Sequence, residues 1–252
     1  LNNHQKKLII KTTTSDLNMP LPTIILPGFF AAATDYFPLE QYLIQQGFPT
    51  VTVPLRKRDW LPTVGGRSMI PILQKIHTTI QQTQQQYQVG KVNLIGHSAG
   101  GWISRIYLGE KPYTIHGQSE EGINHLWNQR QSISTLITLG TPHISQERWT
   151  KRNLDFVKNN YPGAFYPDVR YICIAGKAVF GVRKPGSWLA YNSYQLTIGN
   201  GQSWGDGITP IEAAHLAGAE NLTLEGVWHS PRSPGRWYGS SEVVSAWINY
   251  LK

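Results

Sequence analysis

The chain alternates short apolar, β-branched runs with stretches of helical periodicity. The runs are Thr23–Leu26, Thr50–Val53, Val92–Ile95, Thr135–Leu139, Val169–Ile174 and Leu222–Val227. Several lack the in–out alternation of a half-exposed strand, as expected for strands covered on both faces of a parallel sheet. Between them, Leu73, Ile76, Ile80 and Tyr87 keep a helical rhythm through a Gln-rich stretch ending near Gly90. Tyr36, Leu39, Tyr42 and Leu43 do the same before Gly47. An amphipathic helix is expected over Val243, Val244, Trp247, Ile248 and Leu251, and an apolar helical stretch over Thr209–Gly218. This alternation predicts an α/β chain: one domain across residues 1–252, with a mostly parallel central sheet flanked by helices.

Composition narrows the partners. Apolar stretches such as Leu21–Ala33 are broken by Pro and Gly, and none approaches the roughly 18 residues of a membrane span. One cysteine, Cys173, excludes an internal disulfide framework and a multi-cysteine zinc site. The net charge of +8 favours anionic partners. The densest basic run is only Arg56-Lys57-Arg58, and no nucleic-acid module is present, so nucleic acid is not an expected partner. The start, Leu1–Lys7, is polar and lacks the pattern of a signal peptide. The expected place is the cytoplasm or the surface of a membrane, with a removed leader left open.

The strongest motif is Gly96-His97-Ser98-Ala99-Gly100. It follows a strand run and precedes a helical stripe of Trp102, Ile103, Ile106 and Tyr107. Strand, sharp turn and helix are what a nucleophile elbow requires, with glycines where the two elements pack closely. Ser98 is the candidate nucleophile, and the helix after it aims N–H groups and its dipole at the same place.

A serine needs a base, and the base an orienting acid, in the chain order Ser, acid, His. Of His116, His125, His143, His215 and His229, only His229 follows directly on a strand run. The aspartates after Ser98 are Asp155, Asp168 and Asp206. Asp206 lies in the glycine-flanked loop Gly205-Asp206-Gly207-Ile208-Thr209-Pro210, where the backbone can bend its carboxylate toward an imidazole. Asp168 stands at the far end of its strand, and Asp155 in a basic helical segment. Ala99 N–H is one candidate oxyanion donor. Phe29 N–H, in the loop Leu26-Pro27-Gly28-Phe29 after the first strand run, is the other, because Pro27 has no N–H. His143 reads better as a structural hydrogen-bonding residue.

These residues resemble the α/β-hydrolase superfamily in its lipase and esterase branch, from about Pro22 to the C-terminus. Leu139-Gly140-Thr141-Pro142-His143 and Gly205–Pro210 are similar to stretches of triacylglycerol lipases and of the proteins grouped with glycosylphosphatidylinositol inositol deacylases. The resemblance implies a serine carboxylester hydrolase with Ser98, Asp206 and His229 as its triad and no cofactor or metal. It departs where the common His-Gly oxyanion sequence reads Pro27-Gly28. An acyltransferase or thioesterase would use the same residues, and a binding protein on a hydrolase scaffold would normally lack one of them.

Residues 143–167 and 176–205 read as insertions that serve as lids or binding loops. The second carries Phe180, Trp188, Tyr191, Tyr194 and Trp204 with Lys177, Arg183 and Lys184 and no acid. Rings among cations suit a partly apolar ester or lipid substrate and peripheral contact with an anionic membrane. A small satellite core under the loops is the competing reading.

Overall fold

The computed structural model describes residues 19–115 and 127–252. Leu1–Lys7, His116 and His125 lie outside the described residues. In chain order the elements are β1 (Thr23–Leu26), α1 (Phe37–Gln45), β2 (Thr50–Thr52), α2 (Ile70–Tyr87), β3 (Val92–His97), α3 (Ala99–Leu108), β4 (Ile133–Leu139), α4 (Arg148–Asn160), β5 (Arg170–Lys177), β6 (Val179–Phe180), α5 (Trp188–Ile198), β7 (Trp204–Gly205), α6 (Ile211–Ala214), β8 (Glu220–Glu225) and α7 (Ser241–Val244).

Six strands form one sheet in the order β2-β1-β3-β4-β5-β8, and every pairing is parallel. The chain enters at β1, steps outward to β2, then crosses back to lay β3 on the other side of β1. Such a reversal opens a crevice beyond the carboxyl ends of the two strands. The segments leaving β1 and β3 therefore flank it. β6 and β7 form a separate antiparallel hairpin.

Successive strand residues enter different cores. Ile24, Leu94 and Leu136 pack with Trp102, Ile103, Ile76 and Leu154, so α2, α3 and α4 cover one face. Ile25, Ile95 and Ile137 pack with Leu39, Leu43, Val244 and Trp247, so α1 and the C-terminal segment cover the other. Both kinds of position are apolar because both faces are dry, and each fully buried Leu or Ile contributes roughly 1.5–3 kcal/mol. Every residue of α3 is buried. The edge strand β8 stays half exposed, and its charges Glu220 and Glu225 pair with Arg170 at 3.1 Å and Lys177 at 2.8 Å.

Three local expectations are corrected. β8 ends at Glu225, because Gly226 turns the chain with φ +70, so His229 does not follow directly on a strand. Of Thr209–Gly218 only Ile211–Ala214 is helical. The C-terminal helix is broken: α7 covers Ser241–Val244, and a 3₁₀ turn covers Ile248–Leu251. Tertiary bonds override the helical period there. Trp247 Nε1 donates to the Tyr238 carbonyl at 3.0 Å, and Asn93 Nδ2 donates to the Leu251 carbonyl at 2.9 Å. No helix among the described residues is long and apolar enough to cross a membrane.

Close approach of β3 to α3 depends on Gly96. A Cβ there would lie 2.5 Å from the Gly101 Cα and 2.6 Å from its nitrogen, both backbone atoms. Gly96→Ala should lower the unfolding free energy by at least about 2 kcal/mol in urea denaturation. A loss below about 0.5 kcal/mol would show that the elbow tolerates a wider turn.

Candidate active site

Ser98 occupies the turn between β3 and α3 with φ 52 and ψ −123, a conformation L residues rarely adopt. The surroundings hold it there. Ser98 N–H donates to the Leu139 carbonyl at 2.8 Å, and the Ser98 carbonyl accepts from Thr141 Oγ1 at 2.8 Å and Gly101 N–H at 3.1 Å. Strain kept by this many bonds is typical of a functional turn.

The structure brings Ser98, His229 and Asp206 together. His229 Nε2 lies 3.0 Å from Ser98 Oγ, and His229 Nδ1 lies 2.7 Å from Asp206 Oδ2. Asp206 is 1% exposed. Burial pushes its pKa up, but the opposite charge and hydrogen bond of His229, Thr209 N–H and the Tyr238 hydroxyl outweigh it, and the net shift is downward. An ionised Asp206 only accepts, so Nδ1 of His229 carries hydrogen and Nε2 is free to accept from the Ser98 hydroxyl. The acid loop also makes the turn that aspartates favour: Oδ1 accepts from Ile208 N–H at 2.9 Å and Thr209 N–H at 2.7 Å. The backbone adds a further tie, since His229 N–H donates to the Asp206 carbonyl at 3.0 Å.

The rival candidates are engaged elsewhere. Asp155 pairs with Lys151 at 2.8 Å, and Asp168 stands 3.9 Å from Arg130. His215 lies 3.2 Å from Thr223 Oγ1. His143 is buried beside the buried Arg105, whose Nη1 donates to its Nδ1 at 3.3 Å. Burial and the Arg105 charge hold the His143 pKa well below its usual range, so it is a neutral structural ring.

Phe29 and Ala99 each carry a backbone N–H without a hydrogen-bond partner among the described residues. Gly28 presses on Ser98: a Cβ there would lie 3.0 Å from Ser98 Cβ. The loop is fixed by the Ala31 N–H bond to the Gly28 carbonyl at 3.0 Å and by Trp60 Nε1 donating to the Ala31 carbonyl at 2.9 Å. A cavity of about 180 Å³ opens beside Ser98, with Phe29, Phe30, His229 and Pro231 in its wall. Asp35 and Arg232 also line it, paired at 2.6 Å. Among the described residues no group of three or more His, Cys, Asp or Glu is placed to hold a metal ion.

Three further residues support this site without a sequence signal of that role. Gly176 N–H donates to Tyr238 Oη at 2.8 Å, and Tyr238 Oη donates to Asp206 Oδ2 at 2.7 Å. A parallel arrangement serves the other side. Gly28 N–H donates to Tyr36 Oη at 2.9 Å, and Tyr36 Oη lies 2.6 Å from His97 Nδ1. His97 Nε2 lies 2.7 Å from the His229 carbonyl, which can only accept. That fixes the His97 tautomer: Nε2 carries the hydrogen, and Nδ1 accepts from Tyr36. The loop after β1 and the loop carrying His229 are thus joined through two buried side chains.

Residues 61–160 match the family model described as PGAP1-like alpha/beta domain. The match includes Gly96–Gly100 and stops short of Asp206 and His229. No curated protein matches the chain. Among solved structures, Est1E from Butyrivibrio proteoclasticus, with ferulic acid bound, superposes with TM-score 0.53 at 13% identity, covering 94% of this chain and 90% of that one. The esterase EaEST from Exiguobacterium antarcticum superposes with TM-score 0.50 at 14% identity, covering 92% of this chain and 91% of that one. The chain has the α/β-hydrolase fold.

Burial, with the nearby charge of His229, lowers the pKa of His97 from 6.5 to about 3. Above pH 6.5 the ring is neutral whether the chain is folded or not, and it favours neither state. Between pH 6.5 and about 3 the unfolded chain takes up a proton that the folded one refuses, so stability falls as pH falls. His97→Asn removes that group. Its unfolding free energy should lose about 1.4 kcal/mol less per pH unit than wild type between about pH 5.5 and 4, measured by urea denaturation. Parallel profiles would contradict the neutral buried ring.

Proposed function

We propose that the protein is a serine carboxylester hydrolase acting through an acyl-enzyme on a partly apolar ester, lipid esters included. The observation that carries this reading is the continuous chain from Ser98 Oγ through the His229 ring to the Asp206 carboxylate, with steps of 3.0 and 2.7 Å, beside an accessible cavity. The esterase structures that share the fold, and the PGAP1-like match over the elbow, support the same class.

In this mechanism His229 Nε2 takes the Ser98 proton as Oγ attacks the ester carbonyl carbon. The carbonyl oxygen becomes an oxyanion, which Phe29 and Ala99 N–H bind. The imidazolium returns its proton to the leaving oxygen, the alcohol departs, and the acyl group stays on Oγ. A water molecule then gives its proton to Nε2 and attacks the acyl carbon. Ser98 Oγ leaves, regains the proton, and the carboxylic acid is released. Asp206 holds the tautomer that starts each half and stabilises the imidazolium that forms between them. A cavity of about 180 Å³ is close to the size that accepts one aromatic ring. It suits the reacting end of a substrate, with the remainder outside. The exposed rings of Phe29 and Phe30 favour an apolar remainder.

Turnover of p-nitrophenyl esters by purified wild type, Ser98→Ala and Asp206→Asn checks this. Ser98→Ala should lose at least about four orders of magnitude in kcat, and Asp206→Asn about four. A folded Ser98→Ala protein retaining a tenth or more of the wild-type rate would remove Ser98 from the mechanism.

A further inference from the structure

We propose that α5 and the β6–β7 hairpin form a docking face for anionic lipid bilayers, placed beside the loop that carries Asp206. The hydrolase reading is needed only to connect this face to substrate. The binding itself stands on surface chemistry.

Helix α5 buries one side and exposes large apolar residues on the other. Ala190, Tyr191, Tyr194 and Thr197 are buried, and Tyr194 packs with Val179 and Ala190 in a small core of their own. The opposite side presents Trp188 at 55% and Leu189 at 73% exposure, with Leu196 seven residues on from Leu189 and also exposed. The hairpin beside it adds the exposed rings of Phe180 and Trp204, whose centroids are 5.3 Å apart. The five aromatics of this insertion therefore divide: Tyr191 and Tyr194 are buried, Tyr194 within the satellite core, while Phe180, Trp188 and Trp204 are exposed. A helix with one packed face and one exposed apolar face is stable in water only at a cost, which a lipid interface relieves.

The charges select the partner. Residues 176–205 contain Lys177, Arg183 and Lys184 and no acid. Lys177 is neutralised by Glu225 at 2.8 Å and lies over the Trp204 ring. Arg183 and Lys184 have no carboxylate partner among the described residues, and they immediately precede the exposed turn of α5. Arg183 lies over the Tyr191 ring at 4.9 Å, a contact that leaves its charge in place. Rings at the depth of lipid headgroups beside cations without a carboxylate partner are the pattern that binds anionic bilayers. A second copy of the chain is disfavoured, because a two-fold contact through this patch would bring the same cations together.

The face is joined to the acid loop. Tyr194 Oη accepts from Gly207 N–H at 2.8 Å, and Ser193 Oγ donates to the Ile208 carbonyl at 2.5 Å. A bilayer seated on α5 would thus lie beside the loop that carries Asp206.

Co-sedimentation of the full chain with vesicles tests the proposal, using neutral phosphatidylcholine alone or with about a third phosphatidylglycerol. Binding to the anionic vesicles should be at least about tenfold tighter and should weaken with salt. Arg183→Gln with Lys184→Gln should lose roughly fivefold per cation on anionic vesicles only. Trp188→Ser with Leu189→Ser should weaken binding to both kinds. Hydrolysis of a soluble p-nitrophenyl ester should be unchanged in every variant, which separates failure of the docking face from failure of the hydrolase reading. Equal binding to both vesicles, variants that bind like wild type, or light scattering that shows a dimer dissolved by the Trp188 and Leu189 changes would each overturn it.

Discussion

Removing a carboxylate from water costs several kcal/mol unless donors replace its hydration. Asp206 meets that cost with four of them: two backbone N–H groups of its own loop, the Tyr238 hydroxyl and the His229 ring. Each donor comes with a structural demand. The loop must turn sharply after β7, the segment after β8 must return over the sheet edge, and Tyr238 must reach back to the end of β5. The geometry at Ser98 is set by what the buried acid requires.

Topology supplies the place. The crossing from β2 back to β3 leaves the loops after β1 and β3 side by side, and those loops carry Phe29 and Ser98. The later strands β4, β5 and β8 extend the sheet on one side, so each following segment emerges at the same edge. Tyr36 and His97 then tie the loop after β1 to the segment carrying His229, beside Ser98. Both are neutral at physiological pH, since burial raises the phenol and lowers the imidazole. The brace therefore adds no charge next to the His229 ring.

The sheet is legible in the sequence because burial on both faces leaves a local mark, a continuous apolar run. Ser98 is legible because strand, glycines and helix are adjacent in the chain. Asp206 is read from its glycine-flanked loop and the scarcity of aspartates after Ser98, and His229 from chain order and a strand run that in the structure ends at Glu225. Tyr238, Tyr36 and the second task of His97 leave no such mark, because their partners lie 32, 61 and 132 residues away. The C-terminal segment misleads for the same reason. Val243, Val244, Trp247 and Leu251 are all buried at helical spacing, yet the bonds of Trp247 and Asn93 set the backbone. The outward ring of α5 is equally silent, since nothing local distinguishes Trp188 from the inward Tyr191.

The proposed hydrolysis rests on a serine activated by a histidine that a buried aspartate orients. Peptide mass spectrometry after treatment with a fluorophosphonate reads that activation at the atom concerned, with no choice of substrate. A single adduct on the peptide holding Ser98, absent from His229→Ala, is the expected result. An unmodified Ser98 in folded wild-type protein, or an equal yield of adduct without the imidazole, would contradict it.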